Sequence, residues 1–332
     1  MDIGMETKEM TPTQLREHYK REGWVGPFEL VDAEEMRSAL APKIAKAVRA
    51  DEPSPVYGMK TKRDLHLHVP EVLDVFLREG MIAPLLPILG DDFLLWRTNV
   101  FNKAPQSQLE GGESLQLAGD QAKPVGELGW HQDGNYPAPY ADESGERIQA
   151  LYPADESLHD PSCWLAITDS TRENGCLRFL RHSHRLGEVG YTECDSDDPR
   201  KVFPFINVRL EIDVPTPDDI VEMPLKAGSF VIFSNRLIHA SAANGTEQSR
   251  IGIAARFTPN STRVYPKLRD GLDPQNYPMD NYFCVQAAGV DRFGHNRILS
   301  PYANVERLAT DSGSDASHLC LHPGQHVKRG CG

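Results

Sequence analysis

From Leu94 to Thr258 the chain runs through short β-favouring stretches cut by turn residues, and this texture restricts the fold more than any other feature. The stretches are 94–102, 128–133, 163–168, 176–181, 205–213, 229–233 and 251–258, with Gly, Pro, Asn and Asp gathered between them. Short strands at modest spacing predict a sandwich or barrel rather than a parallel α/β sheet.

Ahead of this β core, residues 11–90 read as a helical section. Thr11-Pro12-Thr13-Gln14 combines an N-cap, a proline at the first helical position and a capping-box glutamine, with Gly23 marking the end. Asp32 opens a second helix, with Met36, Leu40, Ile44 and Val48 at helical spacing and Pro53 and Pro55 beyond it. Residues 70–89 continue as helix, with Val72, Leu73, Phe76 and Leu77 on one side. The expected organisation is one domain over 1–310: the helical section, a β core over 94–260 and a lid section over 261–310. A polar, flexible tail of 311–332 follows. Residues 106–126 and 138–162 read as long loops, the kind that wall or cover a substrate.

With 39% hydrophobic and 25% charged residues, the chain has the makeup of a folded protein, not a disordered one. A net charge of −13 without any Lys/Arg cluster argues against nucleic acid or an anionic membrane as partner. Met1 to Glu6 shows no signal-peptide pattern, and no stretch reaches the roughly eighteen apolar residues of a spanning helix. The six cysteines form no CxxC, so reduced thiols and a cytoplasmic location are expected.

Chemistry concentrates at Gly129-Trp130-His131-Gln132-Asp133-Gly134. In an extended run His131 and Asp133 share a face. His239 follows the strand-like run Gly228–Phe233. Two neutral imidazoles and one carboxylate on one side of a metal suit non-haem Fe(II) oxygen chemistry. Taken singly, His-Gln-Asp-Gly is also a plausible surface turn, and His239 a packed histidine. Arg250 raises the odds. It opens a second strand-like run, and Asn244-Gly245 predicts a hairpin that carries its guanidinium towards the metal. Such a guanidinium can grip a dicarboxylate co-substrate through two parallel hydrogen bonds. Elsewhere, His66-Leu67-His68 has ligand-like spacing on an expected strand, and His66 is a candidate pocket residue. His182 and His184 read as turn residues. Cys320, His322, His326 and Cys331 could form a zinc clip by composition, although the spacing favours a frayed tail.

Several blocks then match one known family in order. Trp130-His131-Gln132-Asp133 resembles the first ligand motif of the phytanoyl-CoA dioxygenase family, the 2-oxoglutarate-dependent non-haem iron oxygenases. Trp164 to Asp169, Glu173 to Leu177 and His182-Ser183-His184 resemble the segment that follows it. Gly228 to His239 resembles the strand of the distal histidine, and Arg250 stands at the spacing of the oxoglutarate arginine. Within the family the chain most resembles the chlorinating enzymes, or aliphatic halogenases, through Gly23 to Phe28, Leu95 to Thr98, Asn102-Lys103 and Gly289 to Arg297.

The resemblance implies an all-β core with flanking α-helices, folded as a double-stranded β-helix (jelly roll, cupin-like). It implies Fe(II) held by His131, Asp133 and His239, with 2-oxoglutarate and O2 as co-substrates. Arg250 would bind the far carboxylate, with Lys103 and Trp164 as supporting contacts. By position alone, Asn135 and Tyr136, next to the metal motif, are candidates for substrate contact or for loop packing, and His66 is a candidate substrate contact; His295, whose matching C-terminal segment in relatives folds back over the barrel, would close a pocket edge against the substrate. The implied reaction is hydroxylation of an unactivated C–H bond of a small metabolite or natural-product intermediate. That substrate would be amino-acid-derived, free or carrier-protein-tethered. Oxoglutarate would be decarboxylated to succinate and CO2. Halogenases have Ala or Gly in place of Asp133, leaving room for a halide, so its presence here implies hydroxyl rather than halogen transfer. Leu128 stands where relatives often carry a hydroxyl that assists oxoglutarate. The same cofactors support desaturation, cyclisation or epimerisation. A zinc hydrolase would need a general base such as that of HExxH, which is absent. A non-catalytic jelly-roll metal-binding protein is the remaining alternative.

Overall fold

The computed structural model describes residues 10–49, 52–105, 126–134, 151–152, 160–203, 206–265, 271–273 and 276–299. Most of the two expected long loops, Asn135, Tyr136 and the Cys/His tail lie outside them.

Helix α1 (Pro12–Glu22) begins with the expected reciprocal cap. The Thr11 hydroxyl accepts from the Gln14 amide, the Gln14 side chain takes the Thr11 N–H, and Gly23 ends the helix at φ 80°. Asp32 caps the next helix, α2 (Ala33–Glu35). It runs through a turn of π-helix (Met36–Leu40) into α3 (Ala41–Arg49). Short helices α4 (Pro70–Phe76), α5 (Glu79–Ile82) and α6 (Leu86–Leu89) follow. The first strand, β1 (Trp24–Glu29), interrupts the section read as helical. The segment His66-Leu67-His68 is not a strand: Leu65–Leu67 forms a single turn of 3-10 helix.

Strands β2 (Phe93–Lys103), β3 (Leu128–His131), β4 (Leu151–Tyr152), β5 (Pro161–Ala166) and β6 (Leu177–Leu180) come next. After them run β7 (Tyr191–Glu193), β8 (Lys201–Phe203), β9 (Ile206–Leu210), β10 (Ile220–Met223) and β11 (Ser229–Ser234). The series ends with β12 (His239–Ser241), β13 (Arg250–Pro259), β14 (Arg263–Val264), β15 (Cys284–Ala288) and β16 (Ile298–Leu299). One sheet has the order β1-β11-β5-β13-β2-β15-β16, and a smaller one the order β10-β6-β12-β3. Two small sheets, β14-β4 and β7-β9-β8, accompany them. This is the expected jelly roll.

The expected hairpin of β12 and β13 does not form. β12 pairs with β3 and β6 in the small sheet, whereas β13 pairs with β2 and β5 in the large one. Asn244 explains the difference. Its Nδ2 donates to the carbonyls of Lys103 and Gln248, and its Oδ1 accepts from the Thr246 amide, so the turn is pinned to the large sheet.

Alternation along β13 divides the interior. Ile253, Ala255 and Phe257 join the core beneath the N-terminal helices, with Phe76, Phe93 and Met36. Their neighbours Arg250, Gly252, Ala254 and Arg256 turn to the other face, between the sheets. Paired across from them on β2 are Lys103, Phe101, Asn99 and Arg97, and on β5 Ala166, Trp164 and Ser162.

Candidate metal centre

Strand pairing, not sequence proximity, assembles the site. His131 and His239 are directly opposed on β3 and β12, with ring centroids 4.2 Å apart. Asp133 lies just beyond the end of β3, and its Oδ1 is 3.9 Å from Nε2 of His239. Ligand atoms from all three lie within 4.8 Å of one another. β3 sits close against β8: a Cβ on Gly129 would lie 2.1 Å from the Lys201 carbonyl oxygen, so this position, two before the ligand, must be glycine.

Each imidazole is oriented from behind. Nδ1 of His131 lies 2.8 Å from the Gly129 carbonyl, and Nδ1 of His239 lies 2.9 Å from the Leu237 carbonyl. A carbonyl only accepts, so both Nδ1 atoms carry the proton and Nε2 is the lone-pair nitrogen of each ring. Burial, then the neighbouring His239, pushes the His131 pKa down to about 3. Burial also lowers that of His239. Both rings are thus neutral near pH 7, as metal ligands must be.

The large sheet holds the carboxylate. Arg256 Nη2 donates to Asp133 Oδ1 at 2.8 Å, and Ser162 Oγ donates to Oδ2 at 2.8 Å. Arg256 and Ser162 are cross-strand neighbours on β13 and β5. Neither was picked out as a ligand support from the sequence. The period of two that places Trp164 on the inner face places Ser162 there as well.

The cavity beside the three ligands is lined by Phe101, Leu128, Trp164, Leu177, Phe233, Ser241, Arg250 and Ala254, among others. Arg250 is 1% exposed. One Nη2 hydrogen bond goes to the Gly175 carbonyl at 2.8 Å, while Nε and Nη1 are buried without a partner among the described residues. Its pKa is pushed down to about 10 by burial. The Ser241 hydroxyl is buried in the same cavity and has no partner among the described residues. Trp164 lies over the guanidinium, 4.9 Å from ring centre to Cζ. Gly252 makes this possible, since a Cβ there would meet the indole at 2.0 Å.

The other sequence candidates are placed differently. Lys103 opposes Arg250 across β2 and β13, but its Nζ is spent on the carbonyls of Ser241, at 3.0 Å, and Ala242. Burial and then Arg250 push its pKa down to about 6. His66 is fully buried against Thr98 (Nδ1 to Oγ1, 3.0 Å) and does not line the cavity. His295 is exposed and stacks beside Phe293. A larger, open surface groove near Arg209 and Val214 contains none of the clustered ligands.

Fold and site together define a jelly-roll protein built to hold one metal ion between its sheets. The model of the phytanoyl-CoA dioxygenase (PhyH) family matches residues 19–252, and the chain belongs to that family. A curated relative, "Phytanoyl-CoA dioxygenase domain-containing protein 1" of Danio rerio, is 36% identical over 90 residues, which are 26% of this chain and 29% of that protein. The chain thus matches under a third of that relative's length. The structure described as "non-heme monooxygenase; ThoJ apo" aligns with a TM-score of 0.62 at 21% identity, covering 89% of this chain and 91% of that one. "CytC3 with Fe(II) and alpha-ketoglutarate" aligns with a TM-score of 0.59 at 23% identity, covering 87% and 93%. At such identities these likenesses establish the fold. No helix among the described residues is long and apolar enough to cross a membrane.

Proposed function

We propose that the protein is an Fe(II)/2-oxoglutarate-dependent oxygenase that hydroxylates an unactivated C–H bond of a small metabolite or natural-product intermediate. The observation that carries this is the pairing of the His131–Asp133–His239 cluster with Arg250, which borders the same cavity and has two nitrogens without a partner among the described residues. Two proton-locked imidazoles and a gripped carboxylate fit Fe(II). The guanidinium, with Nε and Nη1 unpartnered among the described residues, fits the far carboxylate of the oxoacid. Family membership and the bound groups of CytC3 agree with this reading.

Once bound, iron and oxoglutarate supply the oxidising power: O2 is consumed, oxoglutarate becomes succinate and CO2, and the second oxygen atom becomes the substrate hydroxyl. The protein's part is positional. Arg250 and the Ser241 hydroxyl fix the oxoacid. Arg256 and Ser162 keep Asp133 turned to the metal, so the place a halide would need is filled. Phe101, Leu177 and Phe233 keep water out of the reacting space. The substrate is amino-acid-derived, free or tethered to a carrier.

Anaerobic addition of Fe(II) and 2-oxoglutarate tests the site. A visible metal-to-ligand charge-transfer band is expected in the wild type, absent in Asp133→Ala and weakened in Arg250→Gln. A well-folded protein that gives no band would remove the basis of the proposal. With a substrate in hand, product mass separates hydroxylation (one oxygen gained) from desaturation (two hydrogens lost).

A further inference from the structure

At the far end of the same inner face, a second buried guanidinium lacks a hydrogen-bond acceptor among the described residues. Arg97 is 7% exposed, yet makes no hydrogen bond among the described residues, and its Nε is fully enclosed. The nearest carboxylate oxygen, Oδ2 of Asp273, is 3.8 Å away. Asp273 is already served, by Arg63 at 2.5 Å and by the Tyr277 amide at 2.9 Å. Arg63 is itself bound to Asp64 and to the Tyr265 hydroxyl. On the other side, Arg256 is committed to Asp133 and Asn99.

Arg97 therefore stands between two engaged arginines, with Nε unpartnered among the described residues and Nη2 only at ion-pair distance from an Asp273 that Arg63 already holds. The faces of Trp96 and Tyr265, 4.9 and 5.3 Å away, offer it only cation–π contact. The Trp96 Nε1 is also buried without a partner among the described residues. Burial, followed by repulsion from Arg63, pushes the Arg97 pKa down to about 10, so it stays charged at neutral pH. A buried cation with idle donors is costly, and such a cost persists where a ligand relieves it.

Position then identifies the ligand. Arg97 is the cross-strand partner of Arg256, which touches the metal carboxylate, so it lies about 5 Å from that residue. Arg250 is six residues back along β13, on the order of 20 Å away. An oxoacid spanning Arg250 and the metal cannot reach Arg97. We infer that Arg97 anchors a carboxylate of the primary substrate, which enters as a free acid and not as an amide, ester or carrier-bound thioester at that carboxyl. A planar fork of donors matches a carboxylate, and the cross-strand partner Arg256 links this position to Asp133 of the metal cluster. This rests on the iron and oxoglutarate reading above.

The test needs no turnover. Protein loaded with Mn(II) in place of iron and saturated with 2-oxoglutarate is melted in the presence of benzoate or hexanoate, and of benzamide or hexanamide. The acids are expected to raise the midpoint by on the order of 2 °C or more, and the amides to leave it unchanged. Arg97→Met should abolish the acid response and itself melt no lower than wild type, because it removes unpaired donors and leaves Asp273 held by Arg63. Arg97→Lys should keep a weaker response, having charge without the fork. Equal effects of acid and amide would overturn the inference, as would an acid response that survives in Arg97→Met. A strongly destabilised Arg97→Met, in a protein whose wild type ignores the acids, would mark Arg97 as a structural ion. Failure here leaves the charge-transfer band intact, whereas failure of the oxygenase reading abolishes it.

Discussion

Strand β13 carries two opposite environments on its two faces. Outward, Ile253, Ala255 and Phe257 are sealed under the N-terminal helices, with Phe257 edge-on to Phe93 at 6.0 Å. Inward, Arg250 and Arg256 are just as buried, but face Asp133, the two histidines and the cavity. One face gains its stability from apolar area removed from water. The other gives stability up, because its guanidinium and imidazole groups are desolvated without full compensation. The strand shows how one β-sheet separates the cost of function from its foundation.

Asp133→Ala should break the contrast most sharply on the inner face. It is expected to lose the charge-transfer band and oxoglutarate turnover outright, and also to lower the apo midpoint, because Arg256 is left buried without its carboxylate. Phe257→Ala should do the reverse. A fully buried phenyl in this core is expected to cost about 3–5 kcal/mol in denaturant titrations, with metal binding retained in the fraction still folded. Between the two lies Gly252→Ala. The added methyl displaces Trp164 from its place over Arg250, so affinity for 2-oxoglutarate should fall on the order of tenfold, or about 1.4 kcal/mol, and the midpoint should fall too, because the displaced indole is itself buried.

The mildest effect is on pH dependence. Burial holds His66 and His68 at about 4 and His131 at about 3, and lowers His239. Below the unfolded value of about 6.5, the unfolded chain binds protons that the native apo protein refuses. Apo stability should therefore be full above that pH and decline as pH falls towards 4. His66→Asn should flatten the slope in urea midpoints measured between pH 7 and 5.

Much of this was legible because it is local. The Thr11–Gln14 cap, the alternation of β13 and the two-residue spacing of His131 and Asp133 all follow from side-chain chemistry over a few positions. What failed was non-local. Asn244-Gly245 carries turn chemistry, but nothing within the turn says that the strands it joins belong to different sheets. That outcome depends on Asn244 reaching Lys103, far away in sequence. β1 was hidden because Pro27 within it argues against a strand, a rule that relaxes at a sheet edge, where β1 lies. Arg256 was visible as a charge in the sequence, whereas its grip on Asp133 required the fold.

The direct opposition of His131 and His239 makes the metal a fastener as well as a reagent. An ion bound to both rings rivets the edge strand β3 to β12 and closes a loop of about a hundred residues, a closure whose entropic cost grows only slowly with length. At a hundred times its dissociation constant, such an ion adds about 2.7 kcal/mol to the native state. Iron starvation would then remove more than activity: it would unclasp one side of the sandwich, and resistance to proteases with and without a chelator would show it.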